Sequence, residues 1–253
     1  MQSRRRISIL PLLFLLLAGS TFAIAQSPSV ATAVDHGDRP AADRTDDAAR
    51  LPAEVLDFFG IAPGMRVLDL LAGGGYYTEI LARVVSKEGS VIFHNNAAYL
   101  NFAGEAIPAR TADGRLPNVE PITSEVNDLS FSEGELDAVV FVLGFHDIWF
   151  KGDGWTKIDP TKLLATLHRA MRPGAILGIV DHSAPAGAEP WDAGTRLHRI
   201  DEAHARKTIE AAGFTLAASS DILRNPDDDR SILVFDPTIR RKTDRFVLKF
   251  VRP

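Results

Sequence analysis

The 253-residue sequence contains no cysteine. No disulfide can staple the fold and no lipid can be attached through a thiol, so stability has to come from buried apolar surface. Nor is there a second long apolar run: beyond the N-terminus no stretch of roughly 18 apolar residues occurs, which argues against a stable membrane-spanning segment in the body of the chain. A stripe of Arg and Lys interleaved with aromatics is missing too. The formal net charge is −5, which argues against a nucleic-acid partner and leaves small molecules or proteins. Internal repeats are absent.

What is present begins with an N-terminal address. Arg4, Arg5 and Arg6 precede an apolar stretch from Ile7 to Ala18, followed by Ala23-Ile24-Ala25. This is the pattern of a cleavable signal peptide over residues 1–25, with cleavage expected after Ala25 and a periplasmic or secreted destination; a retained membrane anchor is the rival reading. Ser3-Arg4-Arg5 hints at the twin-arginine route, whereas the leucine run favours the general one. Without residues 1–25 the chain keeps 25 basic against 33 acidic residues, a net charge of −8. Residues 26–38, rich in Ala, Ser, Pro and Asp, read as a flexible leader, and residues 39–253 as one large domain. Pro40 to Arg50 suits a polar helix, either a solvated face or a cover over a site.

From Pro52 onward, strand and helix alternate. Pro52 sits in the first turn of a helix carrying Val55, Leu56, Phe58 and Phe59, with Gly60 as its C-terminal cap. Strands are read at Arg66 to Leu71, Ser90 to His94, Asp137 to Leu143 and Ala175 to Val180, all apolar without alternation and therefore buried on both faces. Helices are read at Tyr77 to Val85, Thr161 to Met171 and Asp201 to Ala212. Asp159-Pro160 opens the second, and Pro173-Gly174 and Gly213 follow helix ends. This rhythm predicts an α/β fold with a parallel, doubly wound sheet. Phe214 to Ile222 and Phe246 to Val251 break the rhythm as two strand-like runs able to pair antiparallel.

Asp69 closes the first strand, and Ala72-Gly73-Gly74-Gly75 leads through Tyr76 into a helix. Glycines here let the backbone turn sharply and approach a ligand, and the helix start adds exposed amides. A dinucleotide fingerprint would need a third spaced glycine where Thr78 stands, which disfavours NAD. The run Val67 to Ala82, VLDLLAGGGYYTEILA, resembles the first motif of the class I S-adenosylmethionine-dependent methyltransferases. Glu125 to Phe131, Leu136 to Val140, Leu167 to Gly174 and Ala211 to Phe214 resemble later segments of that family in matching order, and His198 to Ala203, HRIDEA, resembles an element of a bacterial group of exported methyltransferase-like proteins.

The resemblance implies a Rossmann-like, seven-stranded, mostly parallel sheet with an antiparallel last strand. It implies S-adenosylmethionine as cofactor, held by Asp69, Leu71, Ala72, Gly73, Gly74, Gly75 and Tyr76, by Glu125 and Val126, and by Leu143. Where the family usually ends its second strand in an acid for the ribose hydroxyls, this sequence has His94-Asn95-Asn96. Asn95 or Asn96 would then make the ribose contact, weaker by roughly 1 kcal/mol for want of charge.

Ligands of an open parallel sheet bind outside the C-terminal strand ends. The fourth strand runs into His146-Asp147 and the fifth into Asp181-His182, and a long loop from Ala184 to Arg196 returns to His198. Methyl transfer needs alignment and removal of a proton. His146 is the first choice as base, with Asp147 or Asp181 as orienter and His182 and His198 nearby; alternatively these imidazoles are structural. Imidazoles and carboxylates at strand ends are also possible metal ligands, but no local H-x-x-x-H spacing supports that, and no metal is assigned. His36, His94, His168 and His204 are read as surface or packing residues, and Trp149, Phe150 and Trp155 as a loop that either packs or shapes acceptor specificity. The expected activity is methyl transfer to a small-molecule or protein acceptor. A methyltransferase-fold protein that is non-catalytic, or that uses a His/Asp metal site, is the alternative.

Overall fold

The computed structural model describes residues 28–253. The segment read as a signal peptide lies outside the described residues, among which no helix is long and apolar enough to cross a membrane.

The core is a seven-stranded sheet made of β1 (Arg66–Asp69), β2 (Ser90–Asn95), β3 (Val119–Thr123), β4 (Leu136–Val142), β5 (Met171–His182), β6 (Thr215–Ser220) and β7 (Arg245–Val251), in the order β3-β2-β1-β4-β5-β7-β6. Pairings from β3 through β5 are parallel, and β7 runs antiparallel to both β5 and β6. The expected doubly wound sheet with an antiparallel last strand is what the chain forms. Successive side chains of a strand point to opposite faces. Leu68, Val139 and Leu177 accordingly join one apolar cluster, and Val67, Ala138, Val140 and Val180 the other. Helices on both faces cover these clusters, which is why the central strands show no apolar–polar alternation.

The helices, in chain order, are α1 (Pro28–Val34), α2 (Ala41–Arg44), α3 (Asp47–Arg50), α4 (Pro52–Phe59), α5 (Tyr76–Val85), α6 (Ala97–Ala103), α7 (Ala106–Thr111), α8 (Pro160–Ala170), α9 (Pro190–Leu197) and α10 (Glu202–Ala211). Caps follow sequence chemistry: the Asp159 carboxylate accepts from Thr161 N–H and Lys162 N–H at the start of α8, and Asp201 from Ala203 N–H at the start of α10.

Three expectations change. Residues 26–38 are not a flexible leader throughout, because α1 packs against α4 and α5 with Val30 and Ala33 buried. Their apolar face is only two or three residues wide, which composition conceals. Val30→Ala should lower the unfolding free energy by about 2 kcal/mol, the transfer cost of two carbons plus a small cavity. A urea titration in which the variant matches the parent would refute that packing. Second, Pro40 to Arg50 is not one helix but two single turns, α2 and α3. Third, the loop Ala184 to Arg196 contains most of α9, started by Pro190 and by the Glu189 carboxylate accepting from Asp192 N–H. Strand β3, unread in the sequence, is an edge strand in which Glu120 and Pro121 are both exposed, and at a sheet edge a proline is tolerated.

Candidate active site

Strand β1 pairs with β2 on one side and β4 on the other, so the chain's crossovers part at the C-terminal end of β1 and leave a crevice there. A cavity of about 590 Å³ opens at this point. One end is walled by Asp69, Leu71, Ala72, Gly73, Gly74 and Tyr76, the other by Leu143, His146, Asp147, His182 and His198.

The glycine end is held from behind. Gly73 and Gly75 have φ of 58° and 78°, and a Cβ on Gly75 would lie 2.9 Å from Phe93, so this turn requires glycine. The Asn95 carboxamide clamps the turn: Gly73 N–H donates to Oδ1 at 2.8 Å, and Nδ2 donates to the Gly73 carbonyl at 3.0 Å. Asn96 caps α6 by accepting from Tyr99 N–H at 3.0 Å. Both asparagines are buried and stand outside the cavity wall. Glu125 accepts weakly from Ala97 N–H at 3.4 Å, Val126 is buried in the core, and Gly75 caps α5; these too are off the wall. Asp69, almost completely buried, accepts from the Thr78 hydroxyl at 2.6 Å. Burial pushes its carboxyl up to about 7 despite that bond.

Arg110 ties the turn to its surroundings. Its guanidinium donates to the Gly74 carbonyl at 2.7 Å and pairs with Asp43 at 2.6 Å and with Glu79 at 3.3 Å. Asp43 belongs to α2, so α2 and α3 are the cover and not a solvated face: Ala42, Asp43, Asp46 and Arg50 all line the cavity. Tyr76 donates to Asp47 at 2.5 Å, and Arg39 pairs with the same carboxylate through both terminal nitrogens at 2.8 and 2.7 Å.

The polar end is built on Asp181. Fully buried, it accepts from His146 N–H at 2.7 Å, from the His146 ring Nδ1 at 2.8 Å and from His182 N–H at 2.7 Å. The other ring nitrogen of His146, Nε2, lies 3.3 Å from Asp147 Oδ1 and 3.3 Å from His198 Nδ1. Burial opposes charge on His146, but the two carboxylates Asp181 and Asp147 outweigh it and raise the imidazole to about 9. His146 is therefore a cation at neutral pH with both nitrogens engaged. That environment suits charge stabilisation and not the base role expected of it. Asp147 is shifted upward by burial, against the pull of His146 and of the Tyr99 hydroxyl, which donates to Oδ2 at 2.7 Å. Burial, with the charge on His146, lowers His198 to about 4 and holds His182 well below the usual range. Both stay neutral. His182 Nδ1 lies 2.7 Å from the Thr243 hydroxyl.

Aromatic side chains complete the wall: Tyr99, Phe102, Phe150, Trp155 and Phe235. Phe150 and Phe235 each stand 4.9 Å, ring centre to ring centre, from His198.

Residues 30–106, covering the cover helices, β1, the glycine turn and β2, match the model of the protein-L-isoaspartate(D-aspartate) O-methyltransferase family. The chain is 25% identical over 168 residues to the ubiquinone/menaquinone biosynthesis C-methyltransferase UbiE of Idiomarina loihiensis, covering 66% of this chain and 59% of that protein. It is 28% identical over 142 residues to an uncharacterized methyltransferase of Synechocystis, covering 56% and 57%. The chain thus spans about half to three fifths of the length of these relatives. A solved S-adenosylmethionine-dependent methyltransferase from Aquifex aeolicus superposes with a TM-score of 0.58 at 23% identity, over 83% of this chain and 96% of that one. The fold is that of the class I S-adenosylmethionine-dependent methyltransferases.

The end of β2 departs from the pattern that the sequence resemblance implies. The carboxamide of Asn95 is spent on the Gly73 peptide, so the strand end braces the turn in place of presenting an acid. His94 does the same for Leu71: burial holds it at about 4, its Nδ1 faces Leu71 N–H at 3.4 Å and its Nε2 faces the Ser124 carbonyl at 3.1 Å. Arg110, Tyr99 and Thr243 escaped the reading of the sequence because they lie in no motif and reach the site only through long-range packing. Phe150 and Trp155 were read as a loop open to either role, and they line the cavity.

Proposed function

We propose that the protein transfers a methyl group from S-adenosylmethionine to a small, largely apolar acceptor. One observation carries this reading: a single cavity joins the glycine turn to the polar cluster, so a cofactor on the turn and an acceptor among the aromatics would share one enclosure. Its volume, about 590 Å³, lies in the range of small-molecule sites.

The donor set fits the cofactor. Asp69 offers a buried carboxylate for an ammonium group, and the turn from Leu71 to Gly74 offers backbone that can be approached closely. Bound there, the cofactor would supply an electrophilic methyl on a good leaving group. The chain's own work is then to align the acceptor, exclude water and take its proton. Tyr99, Phe150 and Trp155 favour a flat apolar acceptor, in keeping with the quinone pathway named for one relative. His182, neutral and with Nδ1 anchored at Thr243, has Nε2 left to accept a hydrogen bond that aligns the acceptor, and Asp147, whose proton affinity burial raises, would receive the proton. Cationic His146 would stabilise negative charge on the acceptor. Export by the N-terminal signal remains part of the reading; a precursor and a shorter periplasmic form on fractionation would support it, and a full-length cytoplasmic protein would remove it.

The test of cofactor binding is a thermal-shift measurement with S-adenosylmethionine and S-adenosylhomocysteine at millimolar concentration. Binding to the folded form raises the midpoint, and no shift with either would sink the proposal. The pH response is sharper. The folded Asp69 carboxyl keeps its proton up to about 7, whereas the unfolded one releases it near 3.8. Stability without ligand therefore falls as pH rises from 4 to 7, while affinity for the ammonium-bearing ligand rises through the same window, up to about tenfold per unit. In Asp69→Asn both dependences should flatten.

A further inference from the structure

We propose that His146, Asp147 and His198 form a binding site for a divalent transition-metal ion, held through His146 Nε2, Asp147 Oδ1 and His198 Nδ1 in the wall of the cavity. These three atoms lie 3.3, 3.3 and 3.8 Å apart. A point equidistant from all of them in their plane is about 2.0 Å from each, the bond length of imidazole nitrogen and carboxylate oxygen to zinc and its neighbours.

The atoms behind the three are arranged as metal ligands require. Asp181 accepts at His146 Nδ1 at 2.8 Å, which fixes the tautomer that leaves Nε2 turned to the shared point. The Tyr99 hydroxyl donates to Asp147 Oδ2 at 2.7 Å and leaves Oδ1 for the centre. His198 is wedged between Phe150 and Phe235 and takes a left-handed backbone, φ 51°. That conformation is the C-terminal cap of α9, and it sets the direction in which the imidazole leaves the helix end. Two lone pairs and a carboxylate oxygen facing one point repel one another unless a cation sits among them.

Two imidazoles and one carboxylate favour zinc, iron(II) or manganese(II) over magnesium or calcium, which prefer oxygen donors throughout. Three protein ligands leave at least one position open toward the cavity, where an oxygen or nitrogen of the acceptor could bind and become more acidic. The proposal shares the cavity of the methyl-transfer reading but does not depend on it, because the ligand atoms are all on this chain.

The test is metal content and titration. Chelator-treated protein, free of any nucleoside, is titrated separately with zinc, manganese(II), iron(II) and magnesium. One transition ion per chain is expected, with no binding of magnesium. Asp147→Asn and His198→Ala should each abolish stoichiometric binding, and Asp181→Asn should weaken it 10–100-fold by loosening His146. Cobalt(II) provides a direct readout, since the absorption of a low-symmetry nitrogen and oxygen site would appear in the parent and be lost in the isosteric Asp147→Asn. No stoichiometric transition metal in the parent, or undiminished binding in the folded Asp147→Asn or His198→Ala proteins, would overturn the proposal. The S-adenosylhomocysteine thermal shift is measured in parallel. A retained nucleoside shift without metal sinks only the metal site, and metal binding without a nucleoside shift sinks only the cofactor reading.

Discussion

Replacing Asp181 with alanine should lower the unfolding free energy by about 3–5 kcal/mol, the cost of breaking a buried ion pair by removing one partner. The side chain is fully buried and accepts three hydrogen bonds, from the amides of His146 and His182 and from the His146 ring. Without it two amides lose their acceptor and the imidazolium loses the stronger of its two counter-charges. For a domain of this size the loss corresponds to a drop in midpoint of roughly 10 °C. Any methyl transfer should fall by about two orders of magnitude, since His146 and His182 would no longer be aimed. Denaturant titration and a turnover assay would measure the two effects. A variant within about 0.5 kcal/mol of the parent, the usual range for inconsequential surface changes, would show that Asp181 is not the hub of the cluster.

Asn95→Asp tests the other end of the cavity, and here two readings give opposite signs. If the end of β2 served the ribose, an acid would restore the charge the methyltransferase pattern expects and binding would tighten. The structure predicts a loss. Aspartate can still accept from Gly73 N–H, but its second oxygen would sit where Nδ2 now donates to the Gly73 carbonyl at 3.0 Å, acceptor against acceptor. Leaving that buried carbonyl unsatisfied costs about 1–3 kcal/mol, so stability should fall by that amount. Affinity for S-adenosylhomocysteine should drop roughly tenfold as the turn relaxes. Tighter binding measured by calorimetry would return the residue to the ribose.

These two residues also mark where the sequence was legible. The strand, turn and helix from Val67 to Ala82 could be read because their signals are local: a continuous apolar run, glycines at positive φ and an amphipathic helix within sixteen residues. The convergence of His146, Asp181 and His198 followed from topology, since β4 and β5 are neighbours. The roles did not follow. Whether an imidazole is a base or a cation depends on charges a few ångströms away, and the second nitrogen of His146 meets Asp147 and His198 only in three dimensions. The contacts of Asn95 could not be read because a resemblance supplies a position without its partners, and a carboxamide matches both halves of a peptide unit, here that of Gly73, in a way no acid can. The leader was misread because Val30 and Ala33 are too few to register as a period, although both are buried in the structure.

The cover over the cavity joins parts of the chain that are made far apart in time. Asp46 in the turn between α2 and α3 pairs with Arg241 at 2.6 Å, and Arg245 at the start of β7 donates to the Ala49 carbonyl at 2.6 Å. The cavity therefore cannot close until the segment from Arg241 through β7 has been synthesised and β7 has been inserted between β5 and β6. Contacts of such long sequence separation form late and slowly. A nascent chain would carry an assembled glycine turn beside an open, apolar cleft until β7 is in place, and ligand binding would report the insertion of that strand.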